Sequence, residues 1–453
     1  MTSTDPVAPV VALRGAMLSW TGDPFVVGAA RARRYDADAI VAMAGGRIVH
    51  AGPAAAVMRA LPRGTTVERL PRDALMIPGF VDCHVHYPQL PVIGSYGAQL
   101  LDWLTRYTFP AEAAFADDRV ARRVARDYLD ENQRQGITTA AVFCTVHPGS
   151  VDALMREAAT RSMRLIAGKV LMDRNAPRAL RDTATRGYDE SKALIARWQG
   201  RGRLGYAITP RFAVTSSPAQ LEAAGALWRE HPDCWMQSHV SESAGEIAWV
   251  RRLFPRDRDY VGVYERHGLL GRRAIYGHGI HLSEREWRAI ASTGTSIAHC
   301  PTSNLFLGSG LFRWDRAKKA RRPVRVGLAT DVGGGTTLSF LRTMGEAYKI
   351  AHLAGTSMPA AHAFWLATQG GARALDLDGK VGNLAPGFEA DVVVLDLAST
   401  PLVAQRMRHA NDVDEALFVQ MTLGDDRAIR QTWIAGRKAW DRDEATAGPP
   451  RRP

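Results

Sequence analysis

Four apolar runs of this chain each end in a side chain able to hold a metal ion or move a proton. The first is Ile77-Pro78-Gly79-Phe80-Val81-Asp82-Cys83-His84-Val85-His86, with two histidines one residue apart. Side chains alternate across a strand, so His84 and His86 leave on one face, Cys83 and Val85 on the other, and both imidazoles can reach one ion. The second run, 235–242, closes on His239, with Glu242 three residues later. The third, 274–279, closes on His278, and the fourth, 324–331, ends on Asp331 ahead of Gly333-Gly334-Gly335. A lone His-x-His is a weak signal. Four such endings predict a parallel barrel, in which reactive groups come from the C-terminal ends of different strands.

The rest of the pattern agrees with a barrel. Between Met76 and Leu384, apolar runs alternate with amphipathic helical stretches: helix 120–135, strand 138–145, helix 151–161, strand 165–172, helix 188–199, strand 204–209. This βαβα order predicts a parallel sheet with outer helices, and its length allows a (β/α)₈ TIM-like barrel over 75–384, leading out through helices 339–353 and 358–375. Short β-type runs at 10–17, 39–44 and 47–51, with a Gly45-Gly46 hairpin signal, are matched near the other end by 390–396 and 431–440. Neither set has enough strands to bury a face alone, so 1–74 and 385–440 are expected to pair as one small β-sandwich domain. The Pro- and Arg-rich tail, 441–453, is expected to be disordered.

The donor set itself suggests chemistry. Three imidazoles and one carboxylate, His84, His86, His239 and Asp331, leave a divalent ion a free position for water. Imidazole suits zinc and iron alike. Glu242, three residues past His239 and just beyond the strand end, can reach over the ion. Gln89 and Arg211, the latter followed by Phe212 after its strand, carry an amide and a guanidinium able to pair with the donor and acceptor edges of a ligand. A different zinc-site pattern, His-x-Glu with Pro-Cys-x-x-Cys, is absent.

The order His84-x-His86, His239, His278, Asp331 resembles the metal-dependent amidohydrolase superfamily. Longer segments narrow the resemblance to its guanine deaminase family: 78–86 with Gln89, Leu101-Asp102-Trp103-Leu104-Thr105-Arg106-Tyr107-Thr108-Phe109-Pro110-Ala111-Glu112, Gln237-Ser238-His239-Val240-Ser241-Glu242, Gly277-His278-Gly279, His299-Cys300-Pro301-Thr302-Ser303-Asn304 and Thr330-Asp331-Val332-Gly333-Gly334-Gly335. It runs from about residue 10 to about 440. The resemblance implies the barrel with its small β-domain and one Zn²⁺ per chain, Fe²⁺ being possible, on His84, His86, His239 and Asp331. It also implies hydrolysis of guanine to xanthine and ammonia, in a homodimer. Glu242 would shuttle the proton, Asp331 would take one from the attacking water, and His278 would steady the addition intermediate. Gln89, Arg211, Phe212, His239 and Glu242 would contact the base, with Trp103, Thr108 and Phe109 as a cap. One departure from the family pattern is Ser243, where asparagine is expected. Alternatives at this stage are another deaminase or chlorohydrolase of the superfamily, acting on a purine, pterin or triazine ring, and a non-catalytic scaffold with the same fold.

Composition excludes several other classes. With 46% hydrophobic and 23% charged residues in 453, the chain is an ordinary globular one. The four scattered cysteines, Cys83, Cys144, Cys234 and Cys300, read as free buried thiols of a reducing cytoplasm. The N-terminal stretch has no basic lead and no run of membrane-spanning length, so a soluble, cytoplasmic protein with no membrane partner is expected. A net charge of +12 and the Arg313–Arg325 basic cluster would fit an anion. Without an accompanying binding motif they read as a solvated face, and no nucleic-acid partner is expected. Lys169, where a dinuclear relative would carry a bridging lysine, reads as structural, and the three glycines as a flexible turn.

Overall fold

Two sheets divide the chain, and the computed structural model describes residues 9–97, 100–319 and 321–446, Lys319 and Thr446 by backbone alone. Strands β1 (Val11–Trp20), β2 (Arg33–Ala44), β3 (Arg47–Pro53), β4 (Val67–Arg69) and β5 (Ala74–Pro78) start the smaller sheet. The larger sheet takes β6 (Phe80–His86), β7 (Ile137–Phe143), β8 (Arg164–Gly168), β9 (Val170–Leu171), β10 (Leu204–Pro210), β11 (Trp235–Val240), β12 (Ala274–His278), β13 (Ser296–His299) and β14 (Arg325–Leu328). The chain then returns to the first sheet with β15 (Val392–Asp396), β16 (Ile429–Ile434) and β17 (Arg437–Asp441).

The larger sheet runs β6-β7-β8-β10-β11-β12-β13-β14, all pairs parallel, with β9 beside β10. Its ends meet through the backbone after β14: Asp331 N donates to His84 O at 2.9 Å and His86 N to Val332 O at 2.8 Å. Closure therefore sets Asp331 beside the two histidines. At the other end of the barrel Val81, Trp235 and Ile275, each first or second in its strand, pack with Ala372 and Leu375.

The small domain is one hydrogen-bonded sheet, ordered β17-β16-β15-β5-β1-β2-β3 with β4 on β1. Alternation explains why it needs both termini. Met76, Val392 and Val394 face a core shared with Leu13, Val41 and Trp433, while Leu75, Ile77, Val393 and Leu395 join the core of the barrel. Gly45 and Gly46, at φ +56° and +78°, make the expected hairpin.

Three local expectations change. The run 431–440 is two strands, because Ala435 and Gly436 both adopt positive φ and turn the chain back. The helix expected over 358–375 breaks into Ala360–Leu366 and Gln369–Ala374, where the Thr368 hydroxyl donates to Phe364 O at 2.7 Å and accepts from Trp20 Nε1 at 2.9 Å. The strand expected over 165–172 is interrupted at Lys169. Arg442–Thr446 is a short helix, and the remainder of the tail, 447–453, lies outside the described residues, as do 1–8. No helix among the described residues is long and apolar enough to cross a membrane.

Candidate active site

Three strand ends bring three imidazoles to one point. The Nε2 atoms of His84, His86 and His239 form a triangle with sides of 3.1, 3.1 and 3.2 Å. His239 Nδ1 lies 2.6 Å from the Arg211 carbonyl, which can only accept, so Nδ1 carries the proton and Nε2 presents a bare lone pair. All three rings are buried, and burial holds each below the ordinary histidine range, hence neutral. Neutral lone pairs crowded at this distance repel unless a cation sits among them. Nitrogens about 2.0–2.1 Å from one zinc ion stand roughly 2.9–3.4 Å apart, depending on coordination number, so the triangle fits such an ion. Gly277 makes room for it: a Cβ there would stand 2.8 Å from His84 Cε1.

Asp331, His278 and Glu242 stand next to the triangle. Asp331 Oδ1 is 3.3 Å from His84 Nε2 and 3.5 Å from His86 Nε2, and its Oδ2 is 3.7 Å from His278 Nε2. Burial pushes the Asp331 carboxyl up, but His84 and His278 outweigh it and leave it below the usual range. His278 Nδ1 is 2.9 Å from Asn304 Oδ1, and its Nε2 is 3.3 Å from Glu242 Oε2. Its donor atom also falls within 4.8 Å of those of His84, His239 and Asp331, so distance alone does not separate it from the ligands. Its Nε2 faces both the Glu242 and the Asp331 carboxylates. Burial lowers its basicity, yet the Glu242 and Asp331 carboxylates raise it above the ordinary value overall.

Glu242 follows β11 at a sharp corner, where Ser241 has φ +50°; His278 (+72°) and Asp331 (+49°) are bent in the same left-handed way. Such geometry is uncommon for residues with side chains, and here it recurs where strands hand over to catalytic loops. Ser243, the departure from the family pattern, caps helix Ala244–Leu253 in a capping box with Glu246, whose carboxylate accepts from Glu242 N at 2.9 Å. Serine thus serves the capping role that asparagine also performs.

Burial pushes the Glu242 carboxyl from 4.5 up to about 7, with Ser309 Oγ donating to Oε1 at 3.1 Å and His278 opposing the rise. A carboxyl raised by folding adds stability that is complete below its unfolded value, 4.5, and is lost as pH rises through about 7. In chelator-treated protein the unfolding free energy of wild type, relative to Glu242→Gln, should therefore fall by on the order of 2 kcal/mol between about pH 5 and about pH 8. Urea unfolding at the two pH values measures it.

The triangle opens into a narrow cavity lined by Gln89, Trp103, Arg211, Phe212 and Leu307 together with Glu242, His278 and Asp331. Trp103 is a wall of this cavity, its Nε1 donating to Ser95 O at 3.3 Å. Thr108 and Phe109, expected in the same cap, are buried behind it, with the Phe109 ring 5.8 Å from the Arg211 guanidinium. The Phe212 ring stands 6.4 Å from that of His239. The Gly333-Gly334-Gly335 turn is packed and not loose: a Cβ at Gly335 would fall 1.7 Å from Thr330 O, and one at Gly333 2.7 Å from Gln89 O.

Residue-by-residue reading of the sequence missed four contributors. Glu112 is buried between Gln89 and Arg211 and accepts from both. Asp82 accepts from Thr330 N at 3.0 Å and from its hydroxyl, holding the Asp331 loop against β6. Asn304 and Ser309 orient His278 and Glu242. Asp82, Glu112 and Asn304 lie inside the family-like segments, and Ser309 carries no local signal. Lys169 is fully buried and paired with Asp182 and, at 3.4 Å, Glu190. In the basic cluster, Arg313 pairs with Asp315, Arg316 with Glu284, and Arg325 donates to backbone carbonyls.

Known proteins match both the sequence and this arrangement. The amidohydrolase family model covers residues 75–439. Guanine deaminase of Escherichia coli (strain K12) is 50% identical over 374 residues, 82% of this chain and 84% of its own. The solved structure of the E. coli enzyme superposes with a TM-score of 0.92 at 45% identity, covering 95% of this chain and 99% of that one. That of guanine deaminase from Bradyrhizobium japonicum gives 0.92 at 36% identity, covering 96% and 100%. A barrel closed so as to set Asp331 beside a histidine triangle, in a chain matched from 75 to 439 by one family model, is that of a member: this protein belongs to the amidohydrolase family.

Proposed function

We propose that this chain hydrolyses guanine to xanthine and ammonia with one divalent ion, zinc, held by His84, His86, His239 and Asp331. The observation that carries the reading is the adjoining of two constellations in one cavity: the Nε2 triangle with Glu242, His278 and Asp331, and the Gln89–Arg211 pair beside Phe212. The guanine deaminase of E. coli, 50% identical over 82% of the chain, and that of B. japonicum, 36% identical over 96% of it, support the substrate. A homodimer rests on the family likeness alone, and a cytoplasmic location on the four buried free cysteines.

A divalent ion held by His84, His86, His239 and Asp331 would lower the pKa of a bound water from about 16 to about 7 and so make a nucleophile available at neutral pH. The chain's own residues do the rest. Gln89 and Arg211 orient the planar base across the cavity with C2 toward the histidines, and Trp103 and Phe212 exclude solvent. Asp331 accepts the proton of the attacking water. Glu242, its proton held to higher pH by burial, gives that proton to the ring nitrogen beside C2; the departing amine takes the proton that Asp331 accepted, and the hydroxyl proton of the addition intermediate returns to Glu242 as the carbonyl forms. His278, fixed by Asn304 and turned to both carboxylates, stabilises negative charge as the ring nitrogen and oxygen are loaded.

A time course with zinc-loaded protein and guanine, following xanthine and ammonia together, tests the reading. Equal amounts of both products are expected. Folded, metal-bound protein that yields neither would refute it and move attention to pterins and triazines.

A further inference from the structure

The carboxylate that stands behind the two purine-reading side chains has no part in the chemistry so far, although it is 1% exposed. Glu112 Oε1 accepts from Gln89 Nε2 at 2.9 Å, and its two oxygens accept from Arg211 Nη1 at 2.8 and 2.7 Å. Gln89 is held from the other side as well: Gly333 N donates to its Oε1 at 3.2 Å. An amide can be turned over with little change of shape, but a carboxylate accepts only and a backbone N–H donates only, so these two partners settle which end is which.

We propose that Glu112 is a specificity-determining positioning residue that presents Gln89 and Arg211, in one fixed orientation, to an uncharged oxopurine. The inference rests on guanine being the substrate. With Nη1 engaged by Glu112, the guanidinium offers the protons of Nε and Nη2 to the ligand, a donor pair matched to ring oxygen and nitrogen acceptors. Pairing also cancels the arginine charge inside a buried cavity. A lone buried guanidinium would attract anions; the pair gives direction without net charge and suits a neutral base. Arg211 couples this edge to the metal side, because its carbonyl oxygen accepts from His239 Nδ1 at 2.6 Å. One residue thus carries both the base reader and the anchor of a metal ligand, and Glu112 fixes its side-chain half.

The test is a double-mutant cycle with steady-state kinetics on guanine, in zinc-loaded wild type, Glu112→Gln, Arg211→Gln and the double variant. Glu112→Gln is expected to raise KM at least tenfold with kcat within about threefold, the mark of lost ground-state binding. The double variant should be no worse in KM than Arg211→Gln, since Glu112 acts through that side chain. Multiplying effects, or a fall in kcat with KM unchanged, would overturn the proposal. Should Glu112→Gln fail to fold, Glu112→Asp, which draws the carboxylate back by one methylene, is read by the same criteria. A wild type inert toward guanine defeats the functional reading itself, whereas an active wild type with multiplying effects defeats only the role of Glu112.

Discussion

Replacing Glu242 with glutamine is expected to cut kcat for guanine deamination by roughly a thousandfold or more, within the ~10²–10⁴-fold that a positioned acid and base contributes. The substitution keeps size and one acceptor oxygen but removes the transferable proton. It should leave the fold and the metal intact, because Glu242 lies outside the Nε2 triangle and its contacts are His278 at 3.3 Å and Ser309 at 3.1 Å. Zinc content by mass spectrometry and the circular dichroism spectrum should match wild type. KM should move little if, as proposed, Gln89 and Arg211 hold the base. A variant that keeps more than a tenth of the activity would show that another group shuttles the proton, and Asp331 would be the one to examine.

Losing a vertex of the triangle should cost still more. His84→Ala removes one of three neutral nitrogens that otherwise meet at 3.1–3.2 Å, and it opens a void where Gly277 had made space for the ring. Metal affinity falls, and without the ion the attacking water returns to a pKa of about 16, so a loss beyond about 10⁴-fold in kcat/KM is expected. Chelation of the wild type should reproduce the loss, and adding zinc should reverse it in wild type and not in His84→Ala. Activity that survives full removal of metal, verified by mass spectrometry, would contradict the whole site. The variant should stay folded: three buried neutral imidazoles facing one another contribute repulsion, and removing one relieves part of it.

The barrel and the positions of its reactive groups were readable because they obey local rules. A period of two sends His84 and His86 to one side of β6, and apolar runs closing on His239, His278 and Asp331 place their tips at one end of a parallel sheet. The same locality let the terminal runs be matched, since neither half could cover its apolar face alone; Met76 and Val392 show the two halves meeting in one core. Where local rules compete with distant contacts the reading went astray. Thr368 breaks a helix whose periodicity continues through it, because Trp20, 348 residues earlier, takes its hydroxyl. Lys169 interrupts a strand to reach Asp182 and Glu190.

The sequence by itself supplied the candidates, His84, His86, His239, His278 and Asp331 as residue types at strand ends, and Glu242, Gln89 and Arg211 through short segments that resemble a known family. Only the tertiary structure decided how those groups are held. That Glu112 stands between Gln89 and Arg211, that Asn304 orients His278, and that Asp82 pins the loop bearing Asp331 depends on side chains from separate βα units converging once the barrel has closed. Spacing along the chain carries information about neighbours on one strand or one helix. The angle at which an imidazole or a guanidinium faces a ligand is set by hydrogen bonds across many residues, and in this protein those bonds are made by buried polar groups whose partners lie in other parts of the chain.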